Sequence, residues 1–70
     1  MHRDQRALVG HLFATVTAML EDAHIEASDG QAHELKRGRY RRHARQILKL
    51  VIQIEAIARA ILVACGRSGL

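Results

Sequence analysis

The sequence predicts an all-α fold: a two-helix antiparallel hairpin that completes a four-helix bundle by homodimerisation or by packing on a partner. Hydrophobic residues supply 49% of the chain, yet Phe13 and Tyr40 are its only aromatic residues and it has no proline or tryptophan. Alanine and leucine favour helix, whereas a small β-protein needs aromatic and β-branched pairs between frequent turns. With 70 residues the chain makes one domain, 1–70, which we divide into helix 5–27, connector 28–38 and helix 39–65.

The first helix is predicted to begin after Asp4, whose carboxylate can accept hydrogen bonds from the free amides of the first turn. Its apolar residues recur at steps of three and four, as expected for a helix with one buried face. This stripe consists of Val9, Leu12, Val16, Met19 and Ala23, and it is widened by Leu8, Phe13 and Leu20.

The connector contains Ser28, Asp29 and Gly30, a turn-rich cluster. Two boundaries fit. Ser28 followed by Gln31 resembles a capping box that starts the next helix at once, whereas Gly38 suggests a restart near Arg39. We expect a loose or partly helical connector over 28–38.

The second helix carries a heptad pattern in which apolar residues alternate steps of four and three. This spacing is typical of knobs-into-holes packing against a neighbouring helix, so we predict it as the partner interface. The predicted seam consists of Tyr40, Ala44, Ile47, Val51, Ile54, Ala58, Ile61 and Cys65. Because Tyr40 belongs to this seam, we expect it to pack in the core.

Further apolar residues lie outside the predicted seam: Leu48, Leu50, Ile57 and Leu62. They widen the apolar arc beyond what one neighbouring helix can cover, which indicates a bundle of three or four helices. A chain this short also gains little stability from its own core. We therefore expect the protein to associate with itself or with another helical protein.

The net charge of +4 conceals two blocks of opposite sign. The acidic block is Glu21, Asp22, Glu26, Asp29 and Glu34, and the basic block is Lys36, Arg37, Arg39, Arg41, Arg42 and Arg45. In an antiparallel hairpin the first three acidic residues come within reach of Arg41, Arg42 and Arg45. The basic block is therefore either a contact for nucleic acid or another polyanion, a contact for an acidic protein, or a solvated and internally paired face.

Several classes of protein are not expected. A membrane-spanning helix is not expected. Ile47–Ala64 is rich in Ile, Leu and Val, which contribute roughly −3 to −6 kcal/mol to the free energy of membrane insertion, but Lys49, Glu55 and Arg59 cost roughly +2.5 to +3.5 kcal/mol each. A secretory signal peptide is not expected either, because Asp4 interrupts its basic region and His11 interrupts its apolar region. The single Cys65 cannot form an internal disulfide and fits a reducing compartment, so we predict a cytoplasmic location.

No enzyme, cofactor or metal site is predicted. No nucleophile lies near a base and an orienting group in the sequence, and no glycine-rich phosphate loop follows a strand. The five histidines, His2, His11, His24, His33 and His43, have no partner at ligand spacing. Glu21 and His24 match the Glu-x-x-His motif of di-iron bundles, but only Glu55 could add a carboxylate from the second helix.

The stretches ELKRGRY and LVIQIEAIARAIL resemble the small co-chaperones of type III secretion needle subunits. The resemblance covers about 30 residues and depends on Arg37, Gly38, Tyr40, Glu55, Ala56, Ile57 and Ile61. It implies a non-enzymatic cytoplasmic hairpin that docks a helical-repeat chaperone and keeps a polymerising subunit soluble. The residues themselves predict a small helical interaction protein, with a basic nucleic-acid-binding regulator as the alternative.

Overall fold

The computed structural model describes residues 3–32 and 35–67, and within them it consists of two helices and a connector. Helix α1 spans Arg3–Gly30 and helix α2 spans Arg37–Arg67. The described residues contain no strand, and the two helices pack against each other. The all-α prediction is therefore confirmed.

The dimensions of the chain require the two helices to lie side by side and antiparallel. At 1.5 Å per residue, α1 and α2 are about 42 and 46 Å long, and the whole chain measures 51 × 14 × 13 Å. The six residues between the helices can span at most about 20 Å. They therefore cannot carry the chain back to the far end of α1, as a parallel pair would require.

Each helix extends beyond its predicted bounds at both ends, so the connector is residues 31–36. The amides of Gln31 and Ala32 donate to the carbonyls of Ser28 and Asp29 at 3.1 and 3.3 Å, which tightens the end of α1 into a 3₁₀ turn. The amides of Arg39 and Tyr40 both donate to the Lys36 carbonyl, at 2.9 and 3.3 Å, so α2 begins before Gly38.

Tyr40 and Gly30 hold the connector end of the hairpin together. The Tyr40 hydroxyl donates to the Ala32 carbonyl at 2.7 Å, which ties the first turn of α2 to the connector. A Cβ built on Gly30 would lie 3.8 Å from the Cβ of His43, an ordinary contact distance between the helices. Tyr40 is 39% exposed. The expectation that it packs in the core is therefore wrong, because its ring lies at the surface over the connector.

In α1 the buried and half-buried residues follow one stripe at steps of four and three. They are Gln5, Val9, Leu12, Val16, Met19, Ala23, Glu26 and Gly30. This stripe contains all five residues of the predicted one. Leu8, Phe13 and Leu20, which the sequence adds to the stripe, are more than half exposed.

In α2 the residues that face α1 also follow steps of four and three, but along a different line from the predicted seam. We call this line, together with the α1 stripe, the hairpin seam. Its α2 members are His43, Ile47, Leu50, Ile54, Ile57, Ile61 and Ala64. Leu50 and Ile57, predicted to lie outside the seam, belong to it. Cys65 is half-buried beside its C-terminal end.

The hairpin buries few of its side chains. Among the described residues, only Val9, Leu50 and Ile61 are exposed by less than a tenth. The radius of gyration is 16.1 Å, whereas a compact domain of this length has about 11 Å. The chain leaves 5,767 Å² accessible to solvent, against about 4,400 Å² for a compact monomer of its mass. The chain thus exposes roughly 1,400 Å² more surface to solvent than a compact monomer of the same mass.

Candidate interaction surface

The predicted partner interface is divided between two sides of α2. Ile47, Ile54 and Ile61 belong to the hairpin seam and pack towards α1. Ala44, Val51 and Ala58 each directly follow a hairpin-seam residue and are exposed. The predicted seam therefore lies between the side of α2 that α1 covers and a neighbouring side that nothing in the described chain covers.

The uncovered side continues onto α1. In an antiparallel pair, the residues that follow seam positions on both helices lie on the same face of the hairpin, because each helix turns in the same sense about its own axis. We call this face the open face. Its large apolar members are Phe13 and Leu20 on α1, and Leu48, Val51 and Leu62 on α2, and its smaller members include Ala27, Ala44 and Ala58.

The open face is the most apolar surface of the hairpin. Phe13, Leu20, Leu48, Val51 and Leu62 are between 49% and 72% exposed. An alanine or a threonine lies between several of them, and Thr17, Leu20 and His24 line one side of a shallow open hollow that Glu21 and Ile25 complete. A contiguous apolar surface of this kind on a small soluble chain is typical of an interaction site.

The opposite face is more polar. Residues that precede hairpin-seam positions include Asp22, Arg42, Gln46, Lys49 and Gln53, all of them exposed. Asp22, Glu26 and Gln46 line a small hollow there beside Leu50. Leu8, Ile25 and Val63 are exposed apolar exceptions. We call this face the polar face, and its composition is typical of a surface that stays in water.

A side-chain contact between α1 and α2 uses a histidine instead of the predicted arginines. Nδ1 of His43 lies 2.6 Å from Oε2 of Glu26, and both side chains are more than two thirds buried. The contact fixes the relative level of the helices, because both residues belong to the hairpin seam.

The basic cluster, Lys36, Arg37, Arg39, Arg41, Arg42 and Arg45, is exposed throughout. Within the described part of the chain, Arg41, Arg42 and Arg45 form no ion pair with Glu21, Asp22 or Glu26, so the internal pairing that was one alternative for these arginines is not observed there. Arg45 lies two residues from both His43 and Ile47. A step of two places its side chain on the far side of α2 from α1.

An ion pair on α2 includes a residue of the open face, Glu55, which directly follows the seam residue Ile54. Nη2 of Arg59 donates to Oε1 of Glu55 at 2.7 Å, one helical turn apart. Both side chains are largely exposed, so the pair adds little to stability. Its effect is to place one neutralised charge pair midway along an otherwise apolar part of α2.

The described residues hold no group of three or more His, Cys, Asp or Glu side chains placed to bind a metal ion. Glu21 and His24 both lie at the rim of the hollow on α1 and are exposed. His2, His33 and Glu34, part of the histidine and acidic sets, lie outside the described residues. Neither α1 nor α2, as described, has a stretch long and apolar enough to cross a bilayer.

Comparison with known proteins adds no relative. No protein-family model, no curated protein and no solved structure matches this chain.

Sequence reasoning missed Leu50, Ile57 and the His43–Glu26 contact. A signal for them exists, because His43, Ile47, Leu50, Ile54, Ile57, Ile61 and Ala64 also alternate steps of four and three. This second run shares Ile47, Ile54 and Ile61 with the predicted seam. Two overlapping runs indicate a helix with two apolar sides.

Proposed function

We propose that the chain is a non-enzymatic helical interaction protein, an adaptor, co-chaperone or regulator, that buries its open face against another helical surface. The observation that carries this proposal is the open face itself. Five large hydrophobic side chains lie exposed on one side of a hairpin whose own core contains only three well-buried ones among the described residues.

The exposed area is large enough for a stable interface. A standard protein interface buries about 800 Å² on each partner. The hairpin exposes roughly 1,400 Å² more than a compact chain of its mass, so it can lose that area and still keep an ordinary surface. Burial of apolar surface is the main favourable term in association.

The position of the predicted seam indicates what kind of partner fits. Its residues lie between the side of α2 covered by α1 and the open face. In a four-helix bundle each helix contacts two neighbours, and its apolar arc is centred between them. A second pair of helices on the open face would give α2 this environment. The resemblance to secretion co-chaperones implies a helical-repeat chaperone as the partner.

Sedimentation equilibrium of the purified chain at micromolar concentration tests the proposal. We expect either a folded assembly larger than the 7.8 kDa of one chain, or a chain that is largely unfolded until a partner is present. Gln53→Asp, which adds a charge to the polar face, is the control and should behave as wild type. A stable, folded monomer would overturn the proposal.

A second candidate function is binding of nucleic acid through the basic cluster. It is favoured by the finding that Arg41, Arg42 and Arg45 are exposed and, among the described residues, not neutralised by acidic residues of α1. The first turn of α2 contains no acidic residue, so the positive end of the helix dipole adds to the same field. Exposed arginines bind phosphate well.

Gel retardation of duplex DNA at increasing salt tests this candidate. Binding should weaken steeply with salt, and Arg41→Ala together with Arg45→Ala should lower the logarithmic slope by about 2, since each phosphate contact contributes about 0.9. Arg59→Ala, an arginine already paired with Glu55, should leave the slope unchanged. Absence of retardation at low salt would exclude nucleic-acid binding.

A further inference from the structure

We infer that the open face is occupied by a second copy of this chain, related by a two-fold axis that passes at the level of Thr17 and Glu55 and crosses both helices. The inference rests on the proposed function and names its partner. In this dimer α2 packs antiparallel on the α2 of the other copy and α1 on its α1. The two connectors, with their basic clusters, lie at opposite ends.

The pattern of apolar residues on the open face supports a two-fold axis. An isologous interface brings each residue of the patch against another residue of the same patch. On α1, Phe13 and Leu20 lie at nearly equal distances on either side of Thr17. On α2, Leu48 and Leu62 are each seven residues from Glu55. A two-fold rotation at these points places Phe13 against Leu20 and Leu48 against Leu62.

The other open-face residues near the middle of α2 fit the same two-fold axis. Val51 and Ala58 lie four residues before and three residues after Glu55, so they meet each other across the axis. Glu55 itself lies close to the axis, where its partner would be the second Glu55. Each of these carboxylates already accepts a hydrogen bond from its own Arg59, which offsets the repulsion between them.

The two helices place their centres of symmetry at the same level, as one axis requires. Glu26 and Gly30 both lie beside His43. Counting equal numbers of residues back along α1 and forward along α2 from these contacts places Thr17 level with residues 52–56. Glu55 is within this range. Two independent apolar patterns, one on each helix, therefore point to one axis.

Apolar pairing distinguishes this dimer from the other two-fold arrangement of the same faces. An axis parallel to the helices would pack α1 of one copy on α2 of the other. By the same counting, it would place Leu48 against His24 and Leu62 against Gly10, so neither leucine would meet a large apolar side chain. The axis across the helices instead places Leu48 against Leu62, and it leaves the two basic clusters at opposite ends.

Double electron–electron resonance on the full chain separates these arrangements. Nitroxide labels are attached in a Cys65→Ser background at Gln31→Cys, at the connector, and separately at Gln53→Cys, near the level of the axis. Gln31 is fourteen residues from Thr17, so the inferred dimer gives a separation of roughly 40 Å for this label at 1.5 Å per residue. The Gln53 label should give a distance below about 30 Å, since neighbouring helices are 8–10 Å apart.

The outcomes distinguish this inference from the proposed function. Short distances at both sites would show a dimer with its connectors at one end, which overturns the inference and leaves the proposed function standing. A chain that is unfolded alone would do the same. A folded monomer, with no distance at either site, would overturn both.

Discussion

The two apolar sides of α2 differ in what covers them, although their composition is similar. Ile61 is 8% exposed because it faces α1, whereas the next residue, Leu62, is 72% exposed on the open face. Isoleucine and leucine transfer from water with similar free energies. The difference in exposure therefore reflects the presence of α1 on one side only. Hydrophobicity alone does not determine which side of α2 packs against α1.

The largest expected effect comes from placing a charge on each apolar side of α2 in turn. Ile61→Asp puts an unpaired carboxylate in the hairpin seam, at a cost of about 3–5 kcal/mol. A domain of this length has a total stability of roughly 3–10 kcal/mol, so we expect loss of helical circular dichroism. Leu62→Asp leaves the hairpin seam intact, so we expect it to lose less helical signal than Ile61→Asp at the same concentration. Equal loss of helix in the two variants would contradict the distinction.

The sequence could predict that α2 has a seam but could not locate it. Steps of four and three fit both the predicted seam and the hairpin seam, and Ile47, Ile54 and Ile61 belong to both. Spacing cannot choose between them, because Leu50 and Val51 are equally suitable as core residues. The choice depends on which side of α2 packs against α1, and the contact between Glu26 and His43 marks that side.

The contact between His43 and Glu26 could not be predicted from the sequence either. Counting charges favours arginine as the partner of the acidic residues, because histidine is largely neutral at pH 7. Position along the helix decides instead. Only His43 among the residues of this segment belongs to the hairpin seam, so only it meets Glu26, while Arg41 and Arg45 are directed away from α1.

A smaller effect on the free energy of unfolding is expected from the Glu26–His43 contact at the connector end. Glu26→Gln removes the carboxylate that contacts His43, and we expect it to lower the free energy of unfolding by about 1 kcal/mol, because the contact is largely shielded from water. Urea denaturation at a fixed protein concentration measures it. Glu21→Gln, an exposed carboxylate with no ion pair in the described structure, should change stability by less than about 0.5 kcal/mol. A loss as large at Glu21 would show that the Glu26 contact is not specific.

Sedimentation equilibrium of wild type and Leu62→Asp at the same concentration tests whether the open face is an interface between copies of the chain. If the open face is an interface between copies, wild type has twice the 7.8 kDa of a single chain and Leu62→Asp has the mass of one chain. If both have the mass of one chain and both keep their helical signal, the open face is not needed for assembly and the account is contradicted.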